Sequence, residues 1–161
     1  MNQIVVQPLT AQGFAPFGDV LQATGTADKI INQGLCERFN DRAQLNFGRS
    51  GRAGISMFHA QLRALPYSLE MVERHPEGSQ AFLPLSPDPF LVIVAPDEAG
   101  KPGTPLAFLT APGQGINLHL GTWHGVLTPL SGSGIFAVVD RIAETPNLEE
   151  FWFDTPYMVV S

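Results

Sequence analysis

The chain has 161 residues, 44% apolar and only 15% charged, with 16 glycines, 14 prolines, one cysteine and a formal charge of −6. Soluble proteins carry about 25% charged residues, so charge is scarce here, and its acidic balance excludes a nucleic-acid groove built from clustered Lys and Arg. Cys36 alone excludes an intrachain disulfide framework or a CxxC zinc site. The length fits one domain, 1–161, with a real core. Short β-prone stretches recur at 2–7, 18–22, 53–60, 68–75, 79–85, 90–95, 105–110, 115–120, 123–128, 134–142 and 151–160. Gly/Pro turn signals separate them, a pattern that predicts a mainly β sandwich or barrel. One helical turn is expected after Thr10, a short helix over 146–151, and a mobile loop over 96–105. Residues 1–10 lack the basic start and apolar core of a signal peptide. The longest apolar run, Phe90 to Ala95, is too short to span a bilayer. A cytoplasmic protein with no membrane or nucleic-acid partner is expected. Its scarcity of charge suits a surface partly covered by a second copy.

Two clusters carry candidate chemistry. Read as a regular strand, 69–75 puts Leu69, Met71, Glu73 and His75 on one face, and the next strand puts Gln80, Phe82 and Pro84 on one face. A carboxylate, an imidazole and an amide can thus converge across a hairpin. The second cluster is Asn117, His119, Trp123 and His124. Asn117 and His119 alternate with Ile116, Leu118 and Leu120, the pattern of a solvated face or of a wet cavity lining. Arg74 falls opposite His75 and is expected in an outside salt bridge. Asp140-Arg141 closes the apolar strand 135–139 and reads as a structural ion pair. His59 reads as structural, and Cys36, beside the Glu37 anion, is no thiolate nucleophile.

These segments lie where a cupin carries its two motifs. Glu73-x-His75-x4-Gln80 fills the slots of His-x-His-x3–4-Glu, and His119-x-Gly121-Thr122-Trp123-His124 keeps the glycine and final histidine of the second motif. By this overlay Glu73, His75, Gln80 and His124 take the ligand slots, with Glu73 and Gln80 departing from the usual residues. A Gln oxygen is a weak metal donor.

Almost end to end, the sequence resembles the ureidoglycolate lyase family. The resemblance is carried by Pro8-Leu9-Thr10 with Phe14, Gly18-Asp19-Val20, Ile31-Asn32-x-Gly34 with Glu37-Arg38 and Asp41, and Asp140-Arg141. The most distinctive blocks are Glu73-Arg74-His75-Pro76-x-Gly78-x-Gln80-Ala81-Phe82 and Gly115-x-Asn117-x-His119-x3-Trp123-His124. It implies a cupin-like antiparallel β-barrel or jelly roll with a few short helices, a homodimer, and release of urea from ureidoglycolate to leave glyoxylate in allantoin degradation. That substrate is a carbinolamide with a carboxylate. Its breakdown needs a base for the hydroxyl proton, an acid for the departing nitrogen and a cation for the carboxylate.

On this resemblance His75, His124, His119 and Glu73 are the catalytic candidates. Arg38, Asn32, Gln80, Asn117 and Trp123 are the substrate-binding candidates, with an Arg38–Asp41 surface pair as the plainer alternative for Arg38. His75, Gln80 and His124 are expected to hold one divalent metal, nickel, with no organic cofactor. Competing functions are a metal-dependent cupin of another reaction type and a cupin that binds a small organic acid without turnover.

Overall fold

The apolar stretches form strands wherever expected in the computed structural model, which describes residues 2–161. The chain opens with β1 (Asn2–Val5), β2 (Gln7–Pro8) and one turn of helix, α1 (Ala11–Phe14), whose N-cap Thr10 accepts the Gly13 N–H. Then come β3 (Gly18–Leu21) and a small hairpin of β4 (Lys29–Ile31) and β5 (Cys36–Arg38), joined by a 3-10 turn over Asn32–Gly34. Next are β6 (Arg52–His59), β7 (Tyr67–Arg74), β8 (Gln80–Pro84) and β9 (Phe90–Ala95). A minor hairpin, β10 (Asp97–Glu98) and β11 (Lys101–Pro102), precedes β12 (Leu106–Leu109) and β13 (Gly115–Leu118). The short β14 (Trp123–His124) and β15 (Thr128–Pro129) lead to β16 (Ile135–Ile142) and β17 (Glu149–Val160).

Two sheets result. The first runs β1-β17-β7-β14-β9-β12-β2, with β15 also on β9; the second runs β3-β13-β8-β16-β6. The first sheet begins on β1 and ends on β2, which are separated only by Val6, so it curls back until it is nearly closed. Closure leaves fewer free edges. Two cores follow. Phe90, Val92 and Val94 of β9 pack with Phe82, Ile116, Leu118, Phe136 and Val138 between the sheets. Leu91, Ile93 and Ala95 pack with Ile4, Leu69, Val72, Trp123 and Val159 inside the curl. Because β9 is covered on both faces, its sequence is continuously apolar rather than alternating.

Three expectations need correction. Residues 146–151 are not helical: Glu149 and Glu150 begin β17, paired opposite Arg74 and Glu73 of β7. Burial of Phe151 against the second core and the Arg74–Glu149 ion pair outweigh the local helical preference. The segment 96–105 is tied down, since it contains the β10–β11 hairpin and Asp97 holds Arg74 and Trp123. Finally, Leu69 does not share a face with Glu73. A register shift against β17 turns both Leu69 and Val72 into the second core.

Candidate active site

β14 lies between β7 and β9, with His124 directly opposite Glu73 on one side and Val94 on the other. Opposed residues share a face, and Val94 belongs to the core between the sheets. Glu73 and His124 therefore point into the space between the sheets at one end. His75 follows β7 by one residue, and its carbonyl accepts the Gly121 N–H. Gly121 makes that turn at φ +77°, a backbone conformation L side chains rarely adopt.

The ligand atoms of Glu73, His75 and His124 all lie within 4.8 Å of one another. His75 Nδ1 is 2.8 Å from the Asn147 carbonyl oxygen, and His124 Nδ1 is 2.9 Å from that of Gly125. A carbonyl only accepts, so each ring donates from Nδ1 and presents the Nε2 lone pair. Both Nε2 atoms are buried without a hydrogen-bond partner. Burial, reinforced by the nearby His75, pushes the His124 pKa down to about 4, partly offset by its bond to Gly125, so this imidazole is neutral at pH 7. Burial raises the Glu73 carboxyl above its usual range; His75 opposes this, and Glu150, opposite it on β17, adds to it.

Gln80 faces the space between the sheets from the second sheet, so the expected hairpin is corrected: β7 and β8 belong to different sheets and do not pair. Leu118, Gln80 and Asp140 are opposed across β13, β8 and β16 and share a face. Leu118 lines the same small cavity as His124 and Phe82. Gln80 is 7% exposed; its Nε2 donates to Asp140 Oδ2 at 3.1 Å, and its Oε1 is buried without a partner. Two imidazole lone pairs and a carboxylate form a mixed N/O donor set suited to a divalent ion such as nickel, zinc or iron, and the Gln80 amide oxygen is the further donor offered from the second sheet. Such an ion would satisfy the His75 and His124 Nε2 atoms and, if it reaches Gln80, the amide Oε1.

Other candidates lie apart from this group. Asn117 faces away from Leu118 and, fully buried, donates to Asp19 Oδ2 and to the Gln44 carbonyl. His119 Nε2 is 3.0 Å from Asp19 Oδ2 but is out of line for a hydrogen bond. Asp19 and Asn117 fasten Gln44, and Ser79 fastens Asn46, over the outside of the second sheet, the solvated-face alternative modified by a strap. Trp123 alternates with His124 and turns into the second core; its Nε1 donates to Asp97 Oδ1, and the Arg74 guanidinium sits 4.3 Å from its ring. Arg74 also pairs with Glu149 at 2.6 Å, the outside salt bridge expected of it. Asn32 and Arg38 are exposed on the β4–β5 hairpin and share no hydrogen bond or ion pair with the cluster among the described residues. Asp140 and Arg141 are not an ion pair. Successive strand residues face opposite ways, so Asp140 turns inward to Gln80 while Arg141 holds Thr145 and Ser50 outside.

Two contributors were not singled out in the sequence. Asn147 fixes the His75 tautomer through its backbone carbonyl and accepts the Glu77 N–H with its side chain. A carbonyl has no side-chain signature, so nothing in the sequence marks it. Asp19 lies in a quoted motif, and its opposition to Asn117 across the sheet shows its structural task.

Burial alone would raise the Asp19 carboxyl, but the Gln44 N–H, the Asn117 amide and His119 together bring it below 3.8. Its stabilising contribution is therefore present above pH 3.8 and is lost as the pH falls through the lower folded value. Asp19→Asn is expected to destabilise by about 1–2 kcal/mol at neutral pH. Urea titrations across pH should show that deficit shrinking in acid; a deficit independent of pH would contradict this role.

A family model described as ureidoglycolate lyase matches residues 1–160. A protein of Rhodobacter capsulatus named ureidoglycolate lyase is 54% identical over 159 residues, covering 99% of each chain. One of the same name from Chelativorans sp. is 51% identical over 160 residues, covering 99% of this chain and 97% of its own. Ureidoglycolate lyase 2 of Rhizobium meliloti is 47% identical, covering 99% and 98%.

Proposed function

The chain belongs to the ureidoglycolate lyase family, and on that footing we propose that it splits ureidoglycolate into glyoxylate and urea at the Glu73–His75–His124 cluster. The observation that carries this reading is the pair of buried, unpartnered Nε2 atoms beside a carboxylate of raised basicity. In the elimination, a Glu73 carboxylate oxygen takes the proton of the substrate hydroxyl. The freed electron pair forms the aldehyde C=O of glyoxylate, the C–N bond breaks, and its pair leaves on the urea nitrogen. Glu73 returns the proton to that nitrogen, so one group acts as base and then as acid. His75, His124 and Gln80 would hold a divalent ion, nickel, which supplies Lewis-acid polarisation and stabilises developing negative charge when bound. The reaction is redox-neutral and calls for no organic cofactor.

The same proposal places the enzyme in the cytoplasm, in the use of purine nitrogen by way of allantoin. No helix among the described residues is long and apolar enough to cross a membrane. Purified protein given ureidoglycolate should release glyoxylate and urea in equal amounts, faster than the spontaneous reaction. A rate no higher than the spontaneous one, with or without added nickel, would sink the proposal.

Arg38, which lies apart from the cluster on the exposed β4–β5 hairpin, is proposed to hold the substrate carboxylate, so that hairpin must approach the cluster when substrate binds. Its guanidinium makes no side-chain hydrogen bond or ion pair among the described residues, whereas Arg74 and Arg141 are occupied. Arg38→Ala is expected to raise KM about 10- to 100-fold, the loss of a charge-assisted contact. Steady-state kinetics showing an unchanged KM would return Arg38 to a surface role.

We also propose a homodimer. β6 is the edge of the second sheet, and its outer row exposes Ile55 (75%) and Met57 (60%) beside Leu83 of β8. A long edge strand with an apolar face, in a chain poor in charge, suits coverage by a second copy. Sedimentation should give a dimer mass, shifted toward the monomer by Ile55→Glu. A wild-type monomer would refute the assignment.

A further inference from the structure

We propose that Asp140 is a positioning residue that sets which end of the Gln80 amide faces the Glu73–His75–His124 cluster. An amide is two-ended: its NH2 group donates and its oxygen accepts. Beside two imidazole lone pairs and a carboxylate, only the oxygen can serve a cation, while the NH2 end would only donate to the neighbours. Nothing in the cluster itself selects the oxygen, because imidazole Nε2 and carboxylate acceptors would attract the NH2 end when no cation is present. Asp140 makes that selection. It lies directly opposite Gln80 on the neighbouring strand, and its Oδ2 accepts from Gln80 Nε2 at 3.1 Å. A carboxylate only accepts, so the NH2 end is held toward Asp140 and the oxygen away from it. The Oε1 left over is buried and unpartnered.

The inference deepens the reading of Gln80 as a ligand and rests on it. It also gives Asp140 a task other than the ion pair with Arg141 that adjacency in the sequence suggests. Such outer partners of ligands typically contribute 10- to 100-fold to metal affinity.

A double-mutant cycle isolates the effect, since a glutamate has two equivalent oxygens and needs no orienting partner. Nickel affinity is measured by titration calorimetry on metal-free protein, and kcat/KM for ureidoglycolate on the nickel-loaded enzyme. Asp140→Ala is expected to weaken nickel binding about 10- to 100-fold. Asp140→Asn, which retains an acceptor, is expected to recover most of that loss. In a Gln80→Glu background the Asp140→Ala penalty should vanish or reverse, because the two carboxylates would repel each other. A penalty of equal size in both backgrounds would overturn the proposal, as would full affinity in Asp140→Ala. Should wild type take up no nickel, the cation reading of the cluster falls. Asp140 is then judged by the kcat/KM cycle without metal, where the same cancellation supports it and its absence overturns it.

Discussion

Removing either imidazole, by His75→Ala or His124→Ala, is expected to lower kcat/KM for ureidoglycolate by roughly 10²- to 10⁴-fold, the range spanned by positioned acid–base and ligand groups, and to abolish nickel-dependent stabilisation. The two effects have one origin. Each Nε2 is buried, unpartnered and held with its lone pair inward by a backbone carbonyl on Nδ1. A ring so held cannot rotate to find another partner, and His124 is too deeply buried to become charged at neutral pH. An ion that binds only the folded state raises stability by mass action, about 2.7 kcal/mol at a concentration one hundred times its Kd. Wild-type protein should therefore melt later when nickel is added, and the alanine variants should not respond. His124→Ala also leaves a cavity in the core, costing up to a few kcal/mol. His124→Asn keeps more of the volume and separates loss of function from loss of fold. Full activity and an undiminished nickel response in both His124 variants would remove that residue from the site.

Which of these features the sequence disclosed follows from their physical range. Strand positions were legible because they depend on local alternation and on Gly/Pro turns. The grouping of Glu73 with His75 is legible because they alternate along one short stretch of chain, whereas the expected hairpin to Gln80 does not form: β7 and β8 lie in different sheets. Local sequence misleads where distant contacts decide. The acidic start of β17 has a helical signature, yet pairing with β7 and burial of Phe151 make it extended. Asn117 and Leu118 alternate as expected, but only the fold reveals that the polar face lies outward beneath residues 44–46. Trp123 and His124 are adjacent in the sequence and therefore face opposite sides of β14, so only one of them enters the site. Asp140 illustrates the same principle from the other direction. Its meaningful neighbour is Gln80, 60 positions away, rather than Arg141 beside it.

Glu73→Gln separates proton transfer from cation binding. If Glu73 moves the proton while His75, His124 and Gln80 hold the ion, the variant should lose about 10²- to 10⁴-fold in kcat and still bind nickel within about tenfold of wild type. The metal-free variant should be at least as stable as wild type at pH 7. Glu73 is half-buried and makes no side-chain hydrogen bond among the described residues, and it faces Glu150 across the strand pair. A neutral amide of the same shape removes an unfavourable partly buried charge without opening a cavity. Thermal melts, nickel calorimetry and single-turnover kinetics on one preparation would test all three expectations together. Nickel binding lost in parallel with kcat would make Glu73 a ligand in its own right, with the proton then carried by another group. Retained kcat would exclude it from proton transfer altogether. The expected combination, a slower enzyme with a sound fold and an intact cation site, follows only if the carboxylate's lowered solvation serves the chemistry and not the fold.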